Sequence, residues 1–210
     1  MIVFNDVNIS HENTPLLEGM SFRIKKGQKA VLKGRSGSGK SSIMKTILGF
    51  HLPQKGEIFI KDIALKAGNE KLIREFTSWV PQDIWTPLER VKDFLLYPFS
   101  FKINHHLYPD TKAIGEMLDQ LMLPVSLLEK PVKQISGGEK QRIALCSSLL
   151  LKKDIILWDE PTSALDDYTK EHICSFIMQQ PELTLLVSSH DAYWIEASDI
   201  IIKTEEYHVA

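Results

Sequence analysis

Residues 34–42, Gly34-Arg35-Ser36-Gly37-Ser38-Gly39-Lys40-Ser41-Ser42, place two glycines five apart ahead of a lysine and a hydroxyl. This is the G-x-x-x-x-G-K-[ST] spacing, and it lies between an apolar strand-like run, "KAVLKG", and a helical pattern that begins at Lys40. At such a junction the backbone N–H groups of the loop and the first helical turn can point at phosphate oxygens, with the positive end of the helix dipole behind them. Lys40 then reaches the outer phosphates, and the Ser41 hydroxyl completes the shell of a Mg²⁺ ion.

A second pair of chemical groups stands where "IILWDE" leaves the core. Two carboxylates at the end of an apolar strand are costly unless a cation or a partner uses them. Asp159 is the natural metal-coordinating residue of the pair. Glu160 is placed to polarise an attacking water as general base. Two other strand-like runs end on polar residues, Gln82 after "SWVP" and His190 after "LLVSS". Alone, each reads as an ordinary surface or core residue. If these strands lie parallel in one sheet, their ends converge on one crevice, where Gln82 can touch Mg²⁺ or the lytic water and His190 can bond the γ-phosphate or hold Glu160. His105 and His106 have no such context and read as solvated loop residues.

The stretch "QISGGEKQR" adds a third feature. Ser136 to Glu139 spells S-x-x-E, the capping box of a helix start, predicting a helix from 137 to about 150. Gly137 and Gly138 are not explained by capping, since glycine at a helix start costs up to ~1 kcal/mol relative to alanine. Glycines suit a place where another surface, such as a phosphate, approaches the backbone closely. The chain's own nucleotide is an awkward candidate, because the loop around Lys40 already cradles those phosphates from one side.

The elements that must position these groups are read from periodicity. "IVFNDVNI" (2–9) and "MSFRI" (20–24) alternate as half-buried antiparallel strands do, and Pro15 and Gly19 lie between them. Strands are also expected at 29–34, 56–62, 77–82, 154–160, 183–189 and 199–203, and helices from Lys40 to a stop at Gly49, over about 167–180 and near 191–198. Residues 86–150 read as a helical insertion punctuated by Pro98, Pro109, Pro124 and Pro131. The expectation is an α/β fold with a mainly parallel sheet covered on both faces. The 210 residues suit one domain, 1–210, with 1–85 and 151–210 as a nucleotide-binding core and 86–150 as a helical subdomain.

Composition excludes several classes. With 25 basic and 27 acidic residues there is no global field for nucleic acid or an anionic membrane. Cys146 and Cys174 lie far apart without CxxC spacing, which argues against a zinc site or a disulfide framework and for buried thiols in a reducing compartment. The N-terminus lacks the build of a secretory signal, and no apolar run approaches the roughly 20 residues of a membrane span. A role at a membrane would need a partner that crosses it.

In the order GRSGSGKSS, Gln82, ISGGEKQR, ILWDEP, SALD and SSHD, the sequence resembles the nucleotide-binding subunits of ATP-binding cassette (ABC) transporters over essentially the whole chain. The resemblance implies a P-loop NTPase of the ABC-ATPase fold, with antiparallel N-terminal strands beside the parallel sheet. It implies ATP and Mg²⁺ as ligands and a homodimer closing head to tail around two Mg-ATP, in which Ser136, Gly137 and Gly138 meet the γ-phosphate held by the other copy. It further implies that Ser163, Leu165 and Asp166 form an interprotomer loop, that Gln82 links the nucleotide to a transmembrane permease, and that His190 is a switch histidine. It places the protein on the cytoplasmic face of the cell membrane, held there by the permease. The sequence departs from the family pattern at Ile135, where leucine is usual and the volume is conserved. It departs also at His11, which stands where an aromatic stacks on adenine; His stacks less well, and Phe4 is a weaker candidate for that role.

The aromatic run "WTPLERVKDFLLYPFSF" follows Gln82, where the family docks the permease's coupling helix. Phe94, Leu95, Phe99 and Phe101 either form that docking patch or fill the helical subdomain's own core. The short chain and the "LMLPVSLLEKPVKQISGGEKQR" run are similar to the ATPase subunits of small two-component exporters linked to iron efflux. A soluble cassette serving as scaffold or assembly factor is the competing expectation; a P-loop kinase or GTPase is disfavoured by the ISGGE and SALD segments.

Overall fold

The computed structural model describes residues 1–11 and 14–209, with the side chain of His11 outside that description. Its frame is two sheets. Strands β1 (Ile2–His11), β2 (Thr14–Ile24), β4 (Lys55–Ile60) and β5 (Ile63–Ala64) form an antiparallel sheet in the order β2-β1-β4-β5. Strands β3 (Lys29–Lys33), β6 (Thr77–Val80), β7 (Ile155–Asp159), β8 (Thr184–Ser188) and β9 (Ile200–Lys203) form a parallel sheet in the order β6-β7-β8-β3-β9. The expected α/β fold with antiparallel N-terminal strands is the one observed.

The parallel strands β7 and β8 are buried at every position, which explains why their sequences are continuous apolar runs rather than alternating ones. Strand β3 sits between β8 and β9. Its neighbours pair in register, so Ser188 lies level with Asp159 on one side and with Leu32 on the other. That register brings the ends of β3, β7 and β8 to one edge of the sheet.

Two segments differ from the sequence reading. The strand expected at 20–24 begins already at Thr14, so Pro15 and Gly19 belong to β2, paired to β1 from His11↔Thr14 onward with register shifts along the ladder. Gly19 adopts φ +65°, and its N–H donates to Asn8 Oδ1 at 2.9 Å. The glycine therefore marks a bulge inside a continuing strand. Strand β6 ends at Val80, so Gln82 stands two residues beyond the sheet rather than at the end of a strand reaching 82. The strand β5 and the helix α2 (Glu70–Phe76) had no expectation in the sequence; α2 buries only Ile73.

Helix α1 (Lys40–Ile47) follows β3, and Gly49 at φ +71° stands just past its end, as expected. Between β6 and β7 lie α3 (Val91–Leu96), α4 (Thr111–Gln120) and α5 (Gly137–Leu150). The prolines fall at breaks: Pro124 and Pro131 each precede a short 3₁₀ turn, and Pro98 sits within another at 97–100. Asp110 caps α4 by accepting from Ala113 N–H. Helix α5 is buried along most of its length, and its polar residues there are paired: Ser147 donates to Leu95 O at 2.7 Å, and Ser148 receives Trp158 Nε1–H at 3.0 Å. The stretch "QISGGEKQR" thus leads into the start of a helix wedged into the core. Helices α6 (Asp167–Met178) and α7 (Ala192–Ala197) complete the covering layer.

One hydrophobic cluster joins α3, α4 and α5 to one face of the parallel sheet; a second joins α1 and the antiparallel strands to its other face. Leu95 and Phe99 are fully buried in the first. Phe99→Ala is expected to cost about 3–5 kcal/mol, read as a lower urea midpoint with unchanged m-value. Cys146 and Cys174 are buried, and burial pushes both thiols up to about 12, leaving them unreactive.

Candidate active site

The loop between β3 and α1 turns on glycines. Gly37 and Gly39 have φ +83° and +89°, the left-handed region that a side chain disfavours. At Gly39 space is short as well: a β-carbon would lie 2.8 Å from Leu17 Cδ1. Helix α1 starts at Lys40 without a side-chain cap, so its first N–H groups remain available to an anion.

Lys40 is 7% exposed, and its ammonium donates to Gly34 O at 2.6 Å and Arg35 O at 3.0 Å. It also lies 3.1 Å from His190 Nε2. An ammonium has only donors, so that His190 nitrogen is the acceptor and the ring proton resides on Nδ1. Next along the helix, Ser41 Oγ donates to Asp159 Oδ2 at 2.6 Å. Asp159, 4% exposed, accepts on its other oxygen from Ser188 Oγ. A buried carboxylate held by two hydroxyls is oriented but short of positive charge, which is what a cation would supply.

Glu160 follows with φ +48°, rare for a residue with a side chain. Its N–H donates to Ser188 O at 3.0 Å, and its Oε1 lies 3.5 Å from His190 Nε2. Burial pushes the Glu160 carboxyl above the ordinary carboxylate range, and His190 and Lys40 pull it part of the way back. A carboxylate with raised proton affinity, held at a cleft edge, is suited to accept a proton from water.

These groups surround a cleft of about 720 Å³, the size of a small-ligand site. Ser36, Gly37, Gly39, Lys40, Ser41, Ser42, Gln82, Asp159, Glu160 and His190 all line it. Three loop residues do not. Gly34 and Ser38 lie buried beneath the loop, and Arg35 projects from its exposed outer side. On the wall beside α1 the cleft is lined by Thr14, Pro15 and Leu16. The His11 side chain lies outside the described residues. Phe4 is buried and stacked on Phe22 with ring centroids 4.3 Å apart, so it belongs to the core.

Ser136, Gly137 and Gly138 do not line the cleft. The capping box is formed: Ser136 N–H donates to Glu139 Oε2 at 2.7 Å and Glu139 N–H to Ser136 Oγ at 3.1 Å. The two glycines, treated alike in the sequence, separate here. A β-carbon on Gly138 would meet Ala164 O at 2.9 Å and Leu165 Cδ2 at 3.1 Å, so packing within the chain already calls for glycine there. At Gly137 the nearest such contact is Ala164 Cβ at 4.0 Å, and the residue is exposed. Of the neighbouring loop, Ser163 lines the cleft, Leu165 packs on the hydrophobic cluster and Asp166 caps α6 through Thr169 N–H at 3.0 Å.

Two contributors had escaped the sequence reading. Ser188 orients Asp159 and receives the Glu160 backbone; its only signal was a hydroxyl at the last position of an apolar strand. Gln141, 4% exposed, donates to Glu160 O at 2.8 Å and accepts from Ala164 N–H at 3.1 Å, tying α5 to the segment after Asp159. A glutamine on the buried side of a helix was its signal.

A second concavity of about 540 Å³ lies between the segment after β6 and helices α3 and α5. On it Trp85 is 81%, Tyr97 50% and Phe101 49% exposed. The aromatic run therefore divides: Leu95 and Phe99 fill the core, Phe94 is partly buried, and Trp85, Tyr97 and Phe101 face outward. Among the described residues no helix is long and apolar enough to cross a membrane.

A parallel sheet whose inner strand β3 opens into a glycine loop, with that loop's lysine and serine facing an acidic strand end, defines a P-loop nucleotide-binding fold. The ABC transporter family model matches residues 17–163, and the chain belongs to that family. It is 27% identical to the probable iron export ATP-binding protein FetA of Escherichia coli, covering 91% of this chain and 85% of that one. It is 34% identical to the mitochondrial iron-sulfur clusters transporter ATM1 of Debaryomyces hansenii, across 91% of this chain but only 28% of that protein's length. Among solved structures, the dimeric bacterial ABC transporter cassette MJ0796 superposes with TM-score 0.82 at 27% identity, covering 97% of this chain and 95% of that one.

Proposed function

We propose that the protein is the ATP-hydrolysing subunit of an ABC transporter, one domain over 1–210 whose helical segment 86–150 carries the signature. Two copies close head to tail around two Mg-ATP, and the pair drives a separate membrane permease from the cytoplasmic face. The observation that carries this is the convergence of Lys40, the Ser41–Asp159 pair, Glu160 and His190 on one cleft.

In this reading the N–H groups of the 34–42 loop that face the cleft and the Lys40 ammonium hold the β- and γ-phosphates. Ser41, Asp159 and Gln82 would hold Mg²⁺, which when bound would screen the phosphate charge. A site built from one hydroxyl, one carboxylate, one amide oxygen and substrate oxygens suits this ion, which keeps few protein ligands. Glu160 takes a proton from water as its oxygen attacks the γ-phosphorus and the bond to ADP breaks, yielding ADP and phosphate. When Lys40 turns from Gly34 O and His190 onto the phosphates, His190 Nε2 loses that donor, and the ring can then carry a proton on Nε2 and donate it to the γ-phosphate or Glu160. Ser136, Gly137 and Gly138 serve the other copy's nucleotide, with Ser163, Leu165 and Asp166 between them. The face bearing Trp85, Tyr97 and Phe101 receives the permease. The likeness to FetA and ATM1, proteins named for iron export and iron-sulfur clusters, supports an exporter linked to iron homeostasis. The near-neutral charge supports no role for nucleic acid.

The test is phosphate release from Mg-ATP by the purified chain, alone and with its permease. Turnover per chain should rise with protein concentration, as a site shared by two copies requires. Lys40→Ala should weaken ATP binding about 100-fold through loss of charge-assisted bonds. No Mg-ATP turnover under either condition refutes the proposal.

A further inference from the structure

Strand β9 runs parallel to β3 with Lys203 level with Lys33. The residue after β9, Thr204, therefore rests beside Gly34, where the phosphate loop begins. Thr204 is fully buried. Its Oγ1 lies 2.6 Å from Ser38 Oγ and donates to Lys33 O at 3.3 Å. A hydroxyl has one proton, so Ser38 is the donor of the shorter bond. The approach leaves no room for a side chain at 34: a β-carbon there would sit 1.9 Å from Thr204 Oγ1 and 2.5 Å from Ser38 Oγ.

The following residues extend this contact. Glu205 Oε1 accepts the Arg35 backbone N–H at 2.9 Å, turning that group away from the cleft. Glu18 N–H then donates to Tyr207 O at 2.9 Å, and Val209 N–H to Leu16 O at 3.2 Å. Leu16 lines the cleft, so residues 204–209 hold both the underside of the loop and one wall of the site.

We propose that Thr204 is a positioning residue for the phosphate loop, acting through Ser38 and Gly34 without touching the ligand. Such a loop works only if its N–H groups are aimed together, yet Gly37 and Gly39 give it conformational freedom. The buried hydroxyl bond from Ser38 to Thr204 removes that freedom at the loop's centre. Ser38 is 6% exposed, so without Thr204 Oγ1 its proton has no solvent to turn to and the loop must rearrange to satisfy it. The nucleotide consequence rests on the function proposed above; the loop's rigidity does not.

The experiment compares the full chain with Thr204→Val, which removes the hydroxyl and keeps the shape, and with Thr204→Ser, each also made in a Ser38→Ala background. Two quantities are read: hydrogen exchange of the loop amides in nucleotide-free protein, and Mg-ATP affinity. Thr204→Val should speed exchange over 34–39 and weaken Mg-ATP binding, each about tenfold, with β1 and β4 unchanged. Thr204→Ser should match the parent, and in the Ser38→Ala background Thr204→Val should add nothing. The proposal is overturned by parental loop exchange in Thr204→Val, by failure of serine to rescue, by an equal effect without Ser38, or by faster exchange spread through β1 and β4. If loop exchange responds as expected while no variant binds Mg-ATP, the nucleotide reading falls and the positioning role stands. If Mg-ATP binds and Thr204→Val changes neither quantity, the positioning role falls alone.

Discussion

Glu160→Gln is expected to bind Mg-ATP as tightly as the parent chain, or more tightly, and to hydrolyse it at least 10²-fold more slowly. The amide keeps the size of the carboxylate and can turn its NH2 donor toward His190 Nε2, the acceptor nitrogen 3.5 Å from Glu160 Oε1 in the parent. What it loses is the ability to take a proton, and general-base catalysis is worth about 10²–10⁴-fold. With turnover blocked, ATP-bound chains should accumulate as a dimer on a sizing column. Near-parental turnover would remove Glu160 as the base.

The same substitution makes two statements about pH. Because burial raises the Glu160 carboxyl, turnover of the parent should fall on acidification at a pH above the ordinary carboxylate range, and the glutamine variant should lack that limb. The folded state holds this proton more tightly than the unfolded chain does. The resulting stabilisation is full below the ordinary carboxylate pKa and is lost as pH rises through the raised value. At neutral pH the ionised, half-buried group is a liability that glutamine removes. Glu160→Gln should therefore melt no lower than the parent.

How much of this was legible in the sequence depended on whether the signal was local. The phosphate loop announced itself because its chemistry demands particular residues at adjacent positions, and Asp159–Glu160 did so because two acids end an apolar run. The parallel strands showed as apolar runs for the reason that both of their faces are covered. Ser188 and Gln141 were opaque, since each matters through a partner about 20 residues away or more in the chain, Glu160 and Asp159 for one and the 160–164 segment for the other. The start of β2 at Thr14 was not legible because a glycine breaks alternation in the same way whether the strand ends or only kinks. The left-handed backbone of Glu160 has no signature in residue type at all.

Gly137 carries the second large expectation. In the sequence Gly137 and Gly138 stand as one pair that capping leaves unexplained, and the obvious test would put bulk at 138. That position is confounded, because a side chain there collides with Ala164 O inside the same chain, and lost turnover would report misfolding as readily as a lost partner site. Gly137 is exposed, with no such collision. Gly137→Asp places an acid at the first position of α5, where the helix dipole favours it by about 0.3–1 kcal/mol and glycine was a poor helix former to begin with. Within one chain the substitution should be neutral to stabilising, with Mg-ATP binding by the monomer kept. Between two chains it should be severe, since the new carboxylate would face the γ-phosphate held by the other copy's Lys40 loop, like charge against like. The expected result is an unchanged or higher Tm, intact ATP binding, no ATP-dependent dimer in the Glu160→Gln background, and turnover lowered at least 10²-fold. Normal hydrolysis by Gly137→Asp would show that the start of α5 meets no phosphate, and the site would then belong to a single chain.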